Sequence, residues 1–302
     1  MRKASAFVPA HISGFFQVCE ASDPELMGSR NCGPCLDIGV LTEVKIEPAT
    51  RTSVKVLINN KRTPAAKTTL AAIEKLLGIV REPLDVKIAH SCQVPIGAGY
   101  GASGAGTLGA ALALSKALGL RLSRKRLATM AHVAEVTCHT GLGDVGAQVL
   151  GGLVIGLEPG APPHDRWKQI RILKDVKVVC GTFTGLPTAK LLCDEEFRER
   201  SKRLGGLAMK KLLEKPTLQN FMKVSREFAE RLELLNDELS ALIEAVSETS
   251  AIGVSQVMLG KAAFALVKEK KLEQVSRTFL EFLEPSAVIV ASVNRTGARL
   301  LG

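Results

Sequence analysis

A run of small residues at positions 95–106 constrains the fold of this chain most strongly, because it consists mainly of glycine and alanine. Before it, residues 84–89 alternate apolar and polar side chains like a half-buried strand, and after it residues 107–118 are rich in Ala and Leu like a buried helix. The run is therefore predicted to connect a strand to a helix. Small residues leave the N–H groups at a helix start open to an anion, so the pattern indicates a phosphate-binding loop.

Other glycine-rich loops match this sequence less well. A Walker loop requires Lys followed by Ser or Thr after its last glycine, and Gly101, Ala102 and Ser103 do not supply that sequence. A dinucleotide-binding loop requires a fixed glycine spacing and an acidic residue about 20 residues later, and the spacing of Gly97, Gly99 and Gly101 differs from it. From the residues alone, a tight turn that packs a small-residue helix against a sheet stays an open alternative.

Charge and composition limit the classes of partner. The 302 residues carry a net charge of +10, which suits nucleic acid or an anionic small molecule. The basic residues are dispersed among acids, and one Tyr and one Trp make a poor stacking platform for single-stranded nucleic acid, so we expect a small-molecule partner and no nucleic acid. No apolar run reaches the length of a membrane span and no apolar signal segment opens the chain, so we expect a cytoplasmic protein with no membrane partner.

The seven cysteines are scattered, which fits reduced thiols in a cytosol. Cys32 and Cys35 have the spacing of a redox pair, but they follow a polar segment, whereas a thioredoxin-like pair opens a helix after a strand. A zinc site would need two more ligands, and the chain has no second pair with this spacing. We expect the two cysteines to be small residues of a loop, with a thiol oxidoreductase as the alternative.

The length allows two domains, and a proline-rich break at 158–165 is predicted to separate residues 1–160 from residues 161–302. In the first domain we expect strands at 4–9, 39–46, 53–58 and 151–156, a turn at 9–16, a loop at 17–34, and helices at 68–77 and 124–137, the second capped by Ser123. The strands at 39–46 and 53–58 are predicted to pair with each other. In the second domain we expect strands at 176–181, 262–267 and 287–293, charged helices within 188–249, a turn at 255–260 and a helix at 272–283.

Two acidic residues lie at unusual places in this pattern. Glu135 falls in the last turn of an apolar helix, where the helix dipole disfavours a carboxylate, so we expect it to face a cation. Asp144 follows a Gly-x-Gly turn at the start of the next helical segment. The pattern alone leaves a capping role and a catalytic role for Asp144 both open.

Taken in order, these residues resemble the GHMP kinase superfamily and, within it, the archaeal pantoate kinases. The family's phosphate loop is usually Pro-x-x-x-Gly-Leu-Gly-Ser-Ser-Ala, and Ala102 here replaces its first serine while Ser103 keeps the second. The loop residues carried over from the family are Pro95, Gly97, Gly99, Gly101, Ala102, Ser103 and Gly104. Residues 255–266 resemble the third family motif, with Met258 and Leu259 in place of small residues.

The resemblance implies an α+β, two-domain GHMP kinase fold, with an N-terminal α/β nucleotide-binding domain and a C-terminal ferredoxin-like α/β sandwich. It implies that the glycine loop binds ATP and that Ser103 and Glu135 hold Mg²⁺. Asp144 matches the proposed catalytic aspartate. His11 stands where many members have a lysine near the transferred phosphate, and it is the second expected catalytic residue, which would stabilise phosphate charge or position the substrate.

The specific resemblance to pantoate kinases implies phosphorylation of the primary hydroxyl of pantoate to 4-phosphopantoate in coenzyme A biosynthesis. Ser29, Arg30 and His11 are the expected substrate-binding residues, with Arg30 chosen because a guanidinium binds a carboxylate through two hydrogen bonds. A homoserine or mevalonate kinase is the alternative within the superfamily, and a basic nucleic-acid-binding protein is an alternative outside it. We also expect a homodimer.

Overall fold

The computed structural model describes residues 1–63, 66–185 and 193–302, which form two sheets with helices packed against them. The strands are β1 (Arg2–His11), β2 (Phe15–Cys19), β3 (Gly28–Pro48), β4 (Ser53–Ile58), β5 (Lys61–Arg62), β6 (Leu84–Cys92), β7 (Leu153–Glu158), β8 (Arg166–Ile170), β9 (Val176–Gly185), β10 (Gly253–Gln256), β11 (Gly260–Lys268), β12 (Val288–Ser292) and β13 (Arg299–Leu301). The α-helices are α1 (Lys67–Leu77), α2 (Ala102–Leu118), α3 (Arg124–Thr137), α4 (Asp144–Leu150), α5 (Glu195–Glu214), α6 (Leu218–Leu232), α7 (Asp237–Ser247) and α8 (Leu272–Leu280). Within these described ranges, no helix is both long and apolar enough to cross a membrane.

The 21-residue strand β3 organises the first sheet. Its second half, residues 40–46, pairs with β1 on one side and β6 on the other, while its first half pairs with β2 and β7. The predicted loop at 17–34 is therefore confined to residues 20–27, and the prediction is wrong for the rest of that range. The predicted turn that would end β1 at residue 9 is also wrong, because β1 continues to residue 11. Glycine, proline and polar residues resemble turn signals locally, but backbone partners on both sides hold this segment extended.

The predicted pairing of 39–46 with 53–58 is also wrong, although both segments are strands. Strand β6 lies between them, antiparallel to β3 and parallel to β4. The chain leaves β4, crosses through α1 and returns as β6, which is the connection that a parallel pair requires. The local sequence indicated that both segments are strands, but it could not show that a later strand, β6, would lie between them and pair with both.

The predicted strand-to-helix junction around the glycine run is confirmed. Strand β6 ends at residue 92 and α2 begins at residue 102, five residues before the expected start, so the small residues at 102–106 form its first turns. Helix α3 has the predicted bounds, and the Ser123 Oγ accepts a hydrogen bond from the Arg126 N–H at 3.2 Å, as expected of its cap. Helix α2 is buried on nearly all sides, between the sheet and helices α1 and α3.

The second sheet has four antiparallel strands in the order β10-β11-β9-β12. Helices separate β9 from β10 and β11 from β12, which gives the β-α-β-β-α-β connectivity of a ferredoxin-like fold. The predicted α+β class with a ferredoxin-like second half is confirmed. The charged helices expected within 188–249 are α5, α6 and α7, and the start of that range lies outside the described residues.

The two sheets share a core. One apolar cluster joins β2 and the first half of β3 to helices α5 and α6 and to the inner face of the second sheet. Strand β8 pairs with β7 in the first sheet, and the short β13 returns to pair with β1. The predicted domain limits 1–160 and 161–302 stay a prediction, with their boundary in the β7–β8 connection.

Candidate active site

A cleft opens where the glycine run, the α3–α4 connection, β3 and the β10–β11 turn meet. It contains about 740 Å³ of empty space, which includes space open to solvent. Its described lining residues are Ser13, Phe16, Ser29, Asn31, Gly97, Gly99, Tyr100, Gly101, Ala102, Ser103, Glu135, Thr140, Gly141, Leu142, Gly143, Asp144, Met258 and Leu259. These described lining residues include two carboxylates and no Lys or Arg.

The glycine loop before α2 has backbone angles that would be strained for most other residue types. Gly97, Gly99 and Gly101 have φ angles of +75°, +84° and +63°, in the left-handed region that glycine tolerates best. A Cβ at Gly99 would also stand 2.5 Å from the Met258 carbonyl oxygen of the β10–β11 turn. The loop leads into α2 without a side-chain cap, so the N–H groups of the first helical turn remain available to an anion.

Not every predicted loop residue reaches the cleft. Gly97, Gly99, Gly101, Ala102 and Ser103 line it, whereas Pro95 lies before the lining segment and Gly104 packs against α4, where a Cβ would lie 3.1 Å from Gln148 Oε1. The small residues of this run thus have two roles. Those at the cleft leave the backbone open to a ligand, and Gly104 allows close packing between helices.

Ser103 and Glu135, predicted as a metal-binding pair, lie together at the start of α2. The Ser103 Oγ donates to Glu135 Oε1 at 2.6 Å, and the Thr140 Oγ1 donates to the same oxygen at 2.8 Å. Burial raises the pKa of Glu135 to about 7, although the two hydroxyl donors oppose this shift. Gly141 leaves room for this carboxylate, since a Cβ there would stand 2.3 Å from Glu135 Oε2.

Asp144 and His11, both predicted as catalytic, are in contact. Asp144 is the first residue of α4, and its Oδ1 lies 2.7 Å from Nδ1 of His11, the last residue of β1. A carboxylate can only accept, so Nδ1 carries the proton and donates it in this hydrogen bond. The His11 side chain is fully buried, and its position orients one oxygen of Asp144.

Gln148 was not predicted as a site residue, although it connects helix α4 to the glycine loop. Its Nε2 donates to the Gly101 carbonyl oxygen at 2.8 Å, which joins α4 to the glycine loop. The signal for it was available, because Gln148 follows Asp144 by four residues and therefore shares its helix face.

The first half of β3 forms the opposite side of the cleft, and strand alternation decides which residues face it. Ser29 and Asn31 line the cleft, whereas Arg30 between them does not. The Arg30 Nε donates to the Leu157 carbonyl oxygen at 2.9 Å, and its Nη1 donates to Gln17 Oε1 at 3.0 Å. The structure therefore brings Ser29 into the cleft and engages Arg30 across β2 and β7.

Comparison with known proteins adds the family. The family described as GHMP kinases N terminal domain matches residues 65–152, which hold the glycine loop, Glu135 and Asp144. The chain is 33% identical over 271 residues to the pantoate kinase of Methanocaldococcus jannaschii, covering 88% of this chain and 94% of that protein. The chain belongs to the GHMP kinase family.

Two further relatives agree with this membership. The pantoate kinase of Thermococcus kodakarensis is 33% identical over 276 residues, covering 90% of each chain. A solved structure described as a phosphotransferase related to the CoA biosynthesis pathway superposes with a TM-score of 0.90 and 29% identity, covering 99% of this chain and 98% of that one. This chain is thus a GHMP-family kinase, and such kinases use ATP.

In this GHMP kinase the third motif closes the cleft from the second sheet. Met258 and Leu259 line the cleft at the β10–β11 turn, and the Met258 N–H donates to the Ser13 carbonyl oxygen at 3.2 Å. The next residue, Gly260, is required by close packing, because a Cβ there would lie 2.1 Å from the Ala98 carbonyl oxygen. The second sheet therefore supports the glycine loop directly.

The Cys32 and Cys35 pair lies inside the fold. Both thiols are fully buried, Cys32 in the shared core and Cys35 in a separate small cluster, and burial raises the pKa of each. Residues three apart in a strand point to opposite faces, so the two sulfurs do not form a dithiol site. The expected small, non-redox role fits these positions, but the pair belongs to β3 rather than to a loop.

Proposed function

We propose that this kinase transfers the γ-phosphoryl group of ATP to the primary hydroxyl of pantoate and forms 4-phosphopantoate for coenzyme A biosynthesis. The observation that carries the proposal is one cleft in which the start of α2, the Ser103–Glu135 pair and the His11–Asp144 pair converge. The similarity over about nine-tenths of the chain to two pantoate kinases supports the choice of substrate.

The phosphate groups of ATP bind at the glycine loop. Phosphoryl transfer depends on alignment and on neutralising the charge that develops on the phosphate oxygens. The open N–H groups of the first turn of α2 provide fixed partial positive charges for this purpose, and Gln148 fixes the Gly101 peptide beside them.

The donor set at Ser103 and Glu135 fits a Mg²⁺ ion that the nucleotide helps to hold. A hydroxyl and a carboxylate are hard oxygen donors, which Mg²⁺ prefers. Within residues 1–63, 66–185 and 193–302, no three His, Cys, Asp or Glu side chains group into a metal site. Phosphate oxygens and water would therefore complete the coordination, and the ion would supply charge neutralisation at the phosphates.

Asp144 accepts or orients the proton of the substrate's primary hydroxyl. Its Oδ1 is fixed by His11, which leaves Oδ2, close to Gly141 at the cleft, for the hydroxyl. His11 is a positioning residue in this proposal, because its side chain is buried behind Asp144. A general base of this kind contributes about 10²- to 10⁴-fold to the rate.

The substrate lies between Asp144 and β3. The two methyl groups of pantoate match the apolar side chains of Phe16 and Leu142, which line the cleft. The carboxylate is assigned to the Ser29 hydroxyl, because Arg30, the predicted partner, is engaged outside the lining. A neutral hydroxyl donor thus takes the place of the guanidinium group that we expected to bind the carboxylate.

A panel of acceptor alcohols tests the substrate. Purified protein is mixed with ATP, Mg²⁺ and either pantoate, pantothenate, homoserine or mevalonate, and ADP release is followed by a coupled assay. We expect turnover with pantoate that exceeds the turnover with each other alcohol. A preference for homoserine or mevalonate would favour the alternative within the family, and salt-dependent nucleic-acid binding without ADP release would favour the other alternative. The cytoplasmic location and the homodimer stay predictions from the sequence.

A further inference from the structure

Asn31 lines the cleft and holds a buried polar atom that has no hydrogen-bond partner among the described residues. The residue is 1% exposed, and its Oδ1 accepts no hydrogen bond from the described residues. A buried amide oxygen left unpaired costs about 1 to 3 kcal/mol, so such an atom in a ligand site indicates a donor on the ligand.

The orientation of this amide is determined by its neighbours. The Asn31 Nδ2 lies 3.3 Å from the Gly143 carbonyl oxygen and 3.3 Å from Ser29 Oγ. A carbonyl oxygen can only accept, so the amino group must face Gly143 and the oxygen must take the other position. Oδ1 is therefore an acceptor, on the side of the amide away from the Gly143 carbonyl oxygen.

The neighbouring Ser29 hydroxyl has the complementary role. Its oxygen accepts from Asn31 Nδ2, which leaves its own proton free to donate. Ser29 and Asn31 are two residues apart in β3 and share the face that lines the cleft. The pair thus presents one donor and one acceptor side by side.

We infer that this Ser29–Asn31 pair recognises the α-hydroxy acid group of the substrate, with the Asn31 Oδ1 accepting the C2 hydroxyl proton while Ser29 donates to the carboxylate. The inference rests on the proposed function, in which pantoate is the acceptor. A carboxylate and a hydroxyl on adjacent carbons match an adjacent donor and acceptor on one strand face. Asn31 is then a specificity-determining residue, since Asp144 acts on the other hydroxyl of the same molecule.

The test compares pantoate with two analogues that keep the primary hydroxyl. One is the 2-deoxy compound, which lacks the C2 oxygen, and the other is the 2-oxo compound, which keeps an oxygen there but cannot donate. With the unmodified protein we expect kcat/KM to fall by about 10- to 100-fold for each analogue, because Oδ1 loses its donor. In Asn31→Ala the same ratios should shrink to within about 3-fold, since no buried acceptor remains to be paired.

Ser29→Ala is the matched control. It removes the neighbouring hydroxyl but keeps Oδ1, so kcat/KM should fall for all three compounds while the ratios among them are preserved. Asn31→Leu, which has the same branched arrangement of heavy atoms and no polar side-chain atom, replaces Asn31→Ala if thermal unfolding shows that the alanine variant does not fold.

The outcomes separate this inference from the proposed function. Equal kcat/KM for pantoate and both analogues in the unmodified protein would overturn the inference and leave pantoate as the substrate. Discrimination that survives in Asn31→Ala or Asn31→Leu would also overturn it, because the C2 hydroxyl would then be recognised elsewhere. Absence of turnover with pantoate in the unmodified protein would overturn the proposed function, and the inference with it.

Discussion

The two sides of the cleft are built differently. The glycine-loop wall, residues 97–103 with Glu135, consists mainly of backbone and small residues and holds a carboxylate at the start of a helix. The strand wall, Ser29 and Asn31 of β3, consists of neutral side chains that alternate with residues facing away. The first wall depends on backbone conformations that few residue types permit, and the second on which face of a strand each side chain occupies.

Asp144 lies where the walls meet, and its replacement should have the largest effect. Asp144→Asn keeps an oxygen for His11 but cannot take a proton, so we expect kcat to fall by about 10²- to 10⁴-fold with little change in the KM for ATP. Steady-state kinetics with each substrate varied measures both constants. Near-normal turnover in a folded variant would show that the Asp144 carboxylate does not act on the substrate.

Glu135→Gln tests the charge on the glycine-loop wall. We expect the Mg²⁺ concentration for half-maximal activity to rise by about 10-fold or more, because an amide oxygen is a weaker ligand than a carboxylate. A titration of activity with Mg²⁺ at saturating ATP measures this change. The same titration curve for both proteins would remove Glu135 from the metal site.

The same variant should be more stable than the unmodified protein at alkaline pH when no ligand is present. The folded-state pKa of about 7 lies above the usual value near 4.5, so the folded protein binds more protons than the unfolded chain between these values. The free energy of unfolding therefore falls as pH rises through this window, by about 3 kcal/mol in total, and stays lower above it. Glu135→Gln lacks this loss, so its stability advantage should grow between about pH 4 and pH 8 in denaturant unfolding. A constant difference across that range would contradict the buried, raised pKa.

Ser29 and Arg30 test the strand wall with a smaller effect. Ser29→Ala should raise the KM for pantoate by about 10-fold, because it removes a donor to a carboxylate. Arg30→Lys loses the paired contacts to Gln17 and Leu157 and should lower the melting temperature while changing that KM by less than about 2-fold. The reverse pattern in the two variants would return the carboxylate to Arg30.

The sequence predicted the strand, the turn and the helix of the glycine-loop wall because their signals are local. Positive φ angles at Gly97, Gly99 and Gly101 can be expected from the residue type, and the strand before and helix after them follow from periodicity. Glu135 is unusual because the helix dipole disfavours a carboxylate in the last turn of a helix, and the position of that turn can be inferred from neighbouring residues. The family resemblance then added the roles that the pattern alone left open.

The strand wall was not predictable in the same way. The segment around Ser29 and Asn31 has glycine, proline and polar residues, and its extended form depends on pairing with β2 and β7, the latter more than 100 residues later in the chain. Once this segment is taken as a loop, nothing indicates that Arg30 faces away from its neighbours. Long-range pairing, which no local pattern records, decided both the topology around β6 and which β3 residues line the cleft.

The central claim is that the two walls have separable tasks, and the two Michaelis constants measured side by side test it most directly. Gly99→Ala forces a Cβ to 2.5 Å from the Met258 carbonyl oxygen, while the control Gly97→Ala has the same kind of backbone and no atom within 4 Å of the new Cβ. We expect Gly99→Ala to raise the KM for ATP by about 10-fold, more than Gly97→Ala does, with the KM for pantoate within about 2-fold, and Ser29→Ala to show the opposite pattern. Equal increases in both constants for Gly99→Ala and for Ser29→Ala would contradict the assignment of ATP to the glycine-loop wall and of pantoate to the strand wall.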